Sequence, residues 1–481
     1  LADTFYWYDY ETTGIDPARD RVVQFAGIRT DINFNQIADP DVFYCKLHDD
    51  ILPHPEACLI TGISPQLANE KGLLECEFIE RIHQQFSTPQ TCVVGYNSIR
   101  FDDEFTRNLL YRNFFDPYAR EWKSGNSRWD LIDVVRLTHA LRPDGINWPT
   151  REDGSTSFRL EELTKANGIS HESAHDALSD VVATIALAKL IKQKQPKLYS
   201  WGLGLRDKKK AAESLDLINN TAVVHVSSKY LASKDCLGIV MPIAKHPVNN
   251  NGVIVFDLTS DPQTLIDLSA EDIHKRLYTA TADLAEGEPR IGLKTVHINK
   301  SPMLAPLNTL TDAIRDKLNI DLDACEENRQ RILKADVADK LSKVFSINEF
   351  ETVTDPDLML YGGGFFSHAD ARNMAQIRGC DKDQLAALDL PFEDERLDEM
   401  LFRYRARNYP ESLSDAEQAR RQNYRHESLT KQYSDGQLSL MSYFERLDEL
   451  ISEEQWNDEQ QQLLEDLIKY GEVLAESVGG V

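Results

Sequence analysis

The spacing of apolar residues changes character twice along this chain, and those changes limit the folds open to it. Phe5–Tyr8, Val22–Thr30 and Val42–Leu47 are aromatic or β-branched runs parted by turn residues such as Gly14, Pro17 and Pro40, which predicts three consecutive strands. Helical spacing follows over Ala68–Phe86, a short buried strand over Thr91–Gly95, and helical spacing again over Asp103–Asn113 and Leu131–Leu141. A long helix from about His175 to Gln193 closes this part, and the basic, polar stretch Lys192–Lys210 reads as a linker. The order predicts an α/β domain with a mixed sheet. From about Thr221 the pattern shortens to strand runs at Ala222–Val226, Gly238–Ile243, Val253–Leu258 and Thr295–Asn299, with one capped helix from Ser269, as in a small barrel-like module. Beyond about Thr354 strands disappear, and helical spacing from Ala369 onward, bounded by Pro391 and Pro410, predicts an all-helical third part. A chain of 481 residues needs such a division, because single hydrophobic cores stop growing at roughly 250 to 300 residues.

Composition removes several classes. With 41% hydrophobic and 27% charged residues the chain is ordinary globular protein, and it carries no low-complexity tract or internal repeat. Seven cysteines are scattered with no C-x-x-C pair, which excludes a disulfide framework or a thiolate zinc site. The longest apolar stretch, Val181–Ile191, is broken by Thr184 and Lys189 and falls short of the roughly 20 residues of a membrane span. Leu1-Ala2-Asp3-Thr4 has neither a basic region nor a signal-peptide core, so a reducing, cytoplasmic setting is expected. The net charge of −26 opposes a polyanionic partner at long range. A local basic track is required if the partner is nucleic acid, and a carboxylate site that binds cations accounts for part of the negative charge.

Three short elements carry chemistry. Asp9 and Glu11, in Tyr8-Asp9-Tyr10-Glu11-Thr12-Thr13-Gly14, stand at the end of the first strand, where a period of two puts both carboxylates on one face. Alone, such a pair reads as an exposed strand edge. Asp102 or Asp103, in Arg100-Phe101-Asp102-Asp103, follows the buried strand; sites in α/β sheets are built at strand ends, although Asp102 alone also reads as a helix N-cap. In His175-Asp176-Ala177-Leu178-Ser179-Asp180 the two aspartates share a helical face, and His175, five residues from Asp180, belongs on the preceding loop, where it suits a proton acceptor. No G-x-x-x-x-G-K phosphate loop is present.

D-x-E, then F-D, then H-x-x-x-x-D, in order on an α/β frame, resembles the DEDDh group of 3′-to-5′ exonucleases. The resemblance implies an RNase H-like fold in which Asp9, Glu11, Asp102 and Asp180 hold two divalent ions, magnesium with manganese as a substitute, and His175 is the general base. It selects Asp102 over Asp103 and Asp180 over Asp176, and it also places Glu11 against the substrate. Two such ions activate the attacking water and stabilise the leaving 3′ oxygen of an in-line displacement. Further stretches, including Leu59–Ser64, Arg100–Asn113, Asn126–Asp130, Arg142–Trp148, Phe158–Gly168, His297–Lys300 and Phe402–Pro410, resemble the exonuclease I family over nearly the whole chain. That family implies an exonuclease domain over 1–194, an SH3-like β-barrel domain over 195–350 and a helical C-terminal domain over 353–476. It implies processive 3′-to-5′ hydrolysis of single-stranded DNA in DNA repair and recombination, by a chain expected to be a monomer.

Single strands need cations for phosphates and aromatic faces for bases. Arg107, Tyr118, Trp122, Arg136, Arg142 and Arg159 match family positions that face DNA, although each alone reads as a solvated arginine or a packed aromatic. Lys208–Lys210 reads as solvated, and Arg403, Arg405 and Arg407 with Tyr404 and Tyr409 read equally as a DNA track or as residues packed between domains. The family also implies a partner, the acidic C-terminal tail of single-stranded DNA-binding protein. Two other readings stay open at this point: an RNA 3′-trimming exonuclease, against which the roughly 290 residues after the nuclease part argue, and a scaffold that binds strands without cutting.

Overall fold

A computed structural model describes residues 3–171, 176–280, 283–285, 288, 290–347, 353–432, 436–453 and 455–479. Contacts divide the chain into two compact units: Leu1–Ser127 with His171–Val182 and Thr352–Val481, and Arg128–Ser170 with Ala183–Glu351.

In the first unit β1 (Thr4–Thr12) lies between β2 (Val22–Asp31), antiparallel to it, and β4 (Thr91–Gly95), parallel to it, while β3 (Asp41–Tyr44) pairs antiparallel with β2. The predicted mixed sheet is present. Alternation along β1 divides its side chains: Tyr6, Tyr8 and Tyr10 enter a core with Phe25, Phe78, Phe86 and Phe105, and the odd-numbered residues face the other way. The helical spacing over 68–86 is two helices, Pro65–Lys71 and Glu75–Phe86. Between them Leu73 joins the edge of β3, donating to Tyr44 O and accepting from Lys46 N at 2.9 Å each. Gly72 permits this, since a Cβ there would meet the Ala68 carbonyl at 2.3 Å and Lys46 N at 2.5 Å.

The C-terminal helices belong to this same unit. Leu440, Tyr443, Leu447, Leu464 and Leu467 form one core with Leu47, Leu52 and Cys58, and Met374, Ile377, Leu397, Met400 and Tyr404 form another with Cys76, Tyr111 and Phe114. Arg403, Arg405 and Arg407 are packed side chains: Arg403 pairs with Glu399 and Asp355, Arg405 with Glu417, and Arg407 with Asp357. That settles the open reading of this cluster, because every guanidinium already faces a carboxylate.

The second unit begins at Arg128, within β5 (Ser127–Asp130), which leads into helix Leu131–Leu141, capped by the Asp130 carboxylate. β6 (Val223–Val226), β7 (Leu237–Lys245), β8 (Gly252–Asp257), β9 (Leu293–His297) and β10 (Met303–Pro306) form an antiparallel sheet in the order β10-β6-β7-β8-β9, an SH3-like half-barrel. Sequence spacing misses β10, a four-residue strand with a proline at its end. It also misses helices Asp312–Leu318, Leu322–Ala335 and Ala338–Ser346. The stretch read as a linker is largely helical, over Pro196–Gly204 and Lys208–Glu213. Leu205 and Ala211 are buried in the core beneath the sheet, and Trp201 Nε1 donates to Leu304 O at 2.7 Å, so the basic residues coat a packed segment. All seven cysteines are free, and no described helix is long and apolar enough to cross a membrane.

Candidate active site

Phe5 and Trp7 share a face of β1 with Asp9 and Glu11, so the apolar face turns acidic where the strand ends. A register shift follows between Glu11 and Thr12, and the chain turns sharply at Gly14. A Cβ at Gly14 would lie 2.3 Å from Asp20 Oδ2 and 2.6 Å from the His54 ring, so only glycine fits there.

Asp180 comes from the first turn of helix Ala177–Lys194. Asp9, Glu11 and Asp180 each offer a carboxylate oxygen, and these oxygens lie within 4.8 Å of one another, the one group of its kind among the described residues. Asp9 and Glu11 are held well above the ordinary carboxylate range, by burial first. For Asp9 the charges of Asp102, Glu11, Asp180 and Asp176 add to it; for Glu11, pushed up to about 9, those of Asp180, Asp102 and Asp176 do. Partly enclosed, mutually repelling oxygen donors are the donor set of a hard divalent cation, which this acidic metal-binding site fits.

Neighbouring aspartates have other partners. Asp102, buried at the first residue of helix Asp102–Arg112, is not its N-cap; that position is Phe101. Its carbonyl accepts from Thr106 Oγ1, which in turn accepts from Tyr10 OH, each at 2.9 Å. Asp103 binds Tyr8 OH at 2.9 Å and Arg120 Nη2 at 2.6 Å; Tyr8 points away from the Asp9 face of the strand. Asp176 sits before the helix, its carboxylate accepting from Ser179 N at 3.1 Å, so it caps the helix that carries Asp180. His175 lies outside the described residues.

Residues 6–188 match the family described as Exonuclease, 206–347 the Exonuclease I SH3-like domain, and 354–474 the Exonuclease I C-terminal domain. The chain is 47% identical over 471 residues to exodeoxyribonuclease I of Haemophilus influenzae, a match covering 97% of this chain and 98% of that one. The chain belongs to the exonuclease I family. Among solved structures it is similar to a moderately thermophilic exonuclease I from Methylocaldum szegediense, with a TM-score of 0.94 and 50% identity over 98% of this chain and 100% of that one. Escherichia coli exonuclease I in complex with a dA16 oligonucleotide is similar at a TM-score of 0.94 and 45% identity, over 98% of this chain and 100% of that one.

Within this exonuclease I fold the first unit contains Arg107, Tyr118 and Trp122. Arg107 is buried, with both Nε and Nη2 on Glu121 (2.8 and 3.0 Å) and Nη1 on Glu104 and Tyr361 OH (3.0 Å each). Its guanidinium also lies 5.3 Å from the centre of the Tyr118 ring, so it holds that ring from one side. Phe365 packs edge-on to Tyr118 at 6.0 Å; it is 89% exposed and Trp122 is 68% exposed, so both rings are open to a ligand. The second unit contains Arg136, bonded to Asp133 at 2.8 Å; Arg142, bonded to the Thr309 carbonyl at 3.0 Å; and Arg159, exposed and 4.0 Å from Glu161.

Sequence reasoning passed over two features. Phe365 follows Gly362-Gly363-Gly364, and that glycine run before two aromatics was the available signal. His171, whose Nε2 lies 2.5 Å from Asp180 Oδ1, is nine residues away in sequence, a separation that no helix or strand period joins.

Proposed function

We propose that this chain hydrolyses single-stranded DNA processively from a free 3′ end, releasing 5′-mononucleotides, in DNA repair and recombination. The observation that carries the reading is the convergence of Asp9, Glu11 and Asp180 in a chain that matches exonuclease I along nearly its whole length. Asp9, Glu11, Asp102 and Asp180 hold two magnesium ions, or manganese in their place, and the charge that Asp102 exerts on Asp9 and Glu11 supports its membership. When bound, the ions supply an activated water and charge neutralisation at phosphorus. His175 accepts the proton of that water, and Glu11 also faces the terminal nucleotide.

Tyr118, Trp122 and the further ring Phe365 stack on bases, while Arg136, Arg142 and Arg159 meet phosphates. Arg107 serves by bracing Tyr118. The exonuclease domain spans 1–194, the SH3-like domain 195–350 and the helical domain 353–476. The chain acts as a cytoplasmic monomer and docks the acidic C-terminal tail of single-stranded DNA-binding protein.

The deciding test is digestion of matched oligonucleotides with and without chelator. Mononucleotide release from single-stranded DNA is expected with magnesium and not with chelator, and equal rates on blunt duplex or on RNA would sink the substrate assignment. Trp122→Ala and Tyr118→Ala are each expected to weaken binding of a single-stranded oligonucleotide by about 1–3 kcal/mol, the worth of one stacked base. Fluorescence anisotropy in chelator reads this apart from cleavage; unchanged affinity in both variants counts against stacking at these rings.

A further inference from the structure

We infer that His171 is a positioning residue that fixes the Asp180 carboxylate for cation binding. The inference rests on the metal-site reading above and adds to it a residue from outside the acidic set. Asp180 stands on a helix, whereas His171 lies outside it, nine residues earlier, so the contact ties the carboxylate to a second part of the chain. The imidazole is almost fully enclosed, its side chain 4% exposed, against 18% for Asp180. A carboxylate that holds a cation is ionised and only accepts, so in that state Nε2 carries the hydrogen and donates it to Oδ1.

Two competing roles fit the geometry less well. As a direct cation ligand, His171 would bring a nitrogen into the group formed by Asp9, Glu11 and Asp180; neither of its nitrogens joins that group, and the donors there are all carboxylate oxygens suited to a hard cation. As the proton acceptor, it would need its Nε2 free of Asp180, and that nitrogen is 2.5 Å from Oδ1. A hydrogen bond to a ligating carboxylate orients it, and loss of such a partner costs about 10–100-fold in metal affinity or activity.

The test compares His171→Gln with His171→Asn in the full chain. The glutamine amide reaches the place of Nε2, and the shorter asparagine amide does not. Manganese uptake is measured by calorimetry without DNA, together with the magnesium concentration for half-maximal digestion. The asparagine chain is expected to need about 10–100-fold more metal in both measurements, and the glutamine chain to recover most of that loss. A parent chain that binds manganese beside an asparagine chain that binds it equally overturns the positioning role alone. Equal loss in both variants overturns it too, since the donor would then not be what matters. A parent chain that takes up no manganese overturns the metal site and the inference together.

Discussion

Asp180→Asn is expected to lose roughly 10³-fold in turnover and yet, in chelator, to unfold at a higher temperature than the parent chain. The two effects share one cause. Glu11 is buried and Asp9 half-buried beside Asp102, Asp176 and Asp180, and each added negative charge raises the cost of ionising the others. An acid whose folded pKa lies above its unfolded value binds more protons in the folded chain throughout the interval between the two. Stability therefore falls as pH rises from the ordinary carboxylate range through about 9, the value reached by Glu11. A divalent cation reverses this by binding only the folded site. Thermal melts from pH 5 to 9, with chelator and with magnesium, should show the parent destabilised at high pH and restored by the ion. The asparagine variant should show a smaller pH slope and a smaller magnesium effect. Turnover within tenfold of the parent, or a lower melting point in chelator, would remove Asp180 from the site.

Glu75→Ala is expected to destabilise the chain by about 3–5 kcal/mol, the cost of breaking a buried ion pair and leaving its partner uncompensated. Glu75 is 1% exposed and opens helix Glu75–Phe86. Its carboxylate accepts from Arg112 Nη2 at 3.1 Å and Asn113 Nδ2 at 2.9 Å, and Arg21, His48 and Arg407 stand within 4.0 Å. Burial raises the Glu75 carboxyl, but Arg112 first, then His48, Arg407 and Arg21, hold it well below the ordinary carboxylate range. A depressed acid stabilises the fold fully above its unfolded pKa, and that stability is lost as pH falls through the folded one. The alanine variant should therefore show a weaker loss of stability on acidification than the parent. Urea unfolding at pH 7 and at pH 4 measures both effects. A change below 1 kcal/mol at pH 7 would mean that the arginines find other partners.

The second prediction concerns a feature that sequence pattern could not show. By pattern Glu75 falls in the middle of the helical spacing over Ala68–Phe86, and Arg407 reads as one of three basic residues with two uses open to them. Their meeting depends on 331 residues of intervening chain folding back, and no local period records that return. The same holds for β10, held by its pairing with β6, and for helix Ala338–Ser346, which buries Leu341, Val344 and Phe345; neither is long enough to stand on local pattern alone. Conversely β1, β2, β4 and helix Leu131–Leu141 are legible because burial on one or both faces demands an unbroken apolar pattern.

By itself the sequence determined the chemistry at the head of the chain: the alternation that sets Asp9 beside Glu11, the helical step that carries Asp180, and the mixed sheet on which they are mounted. Such features follow from periods of two and 3.6 residues, which are local properties of the backbone. Only the tertiary structure decided that Asp103 turns away to Arg120, that His171 grips Asp180, and that the C-terminal helices share two cores with the segments around Leu47–Cys58 and with Cys76, Tyr111 and Phe114. Each of those is a choice among partners of similar chemistry, made by packing, and packing is settled by the whole unit at once.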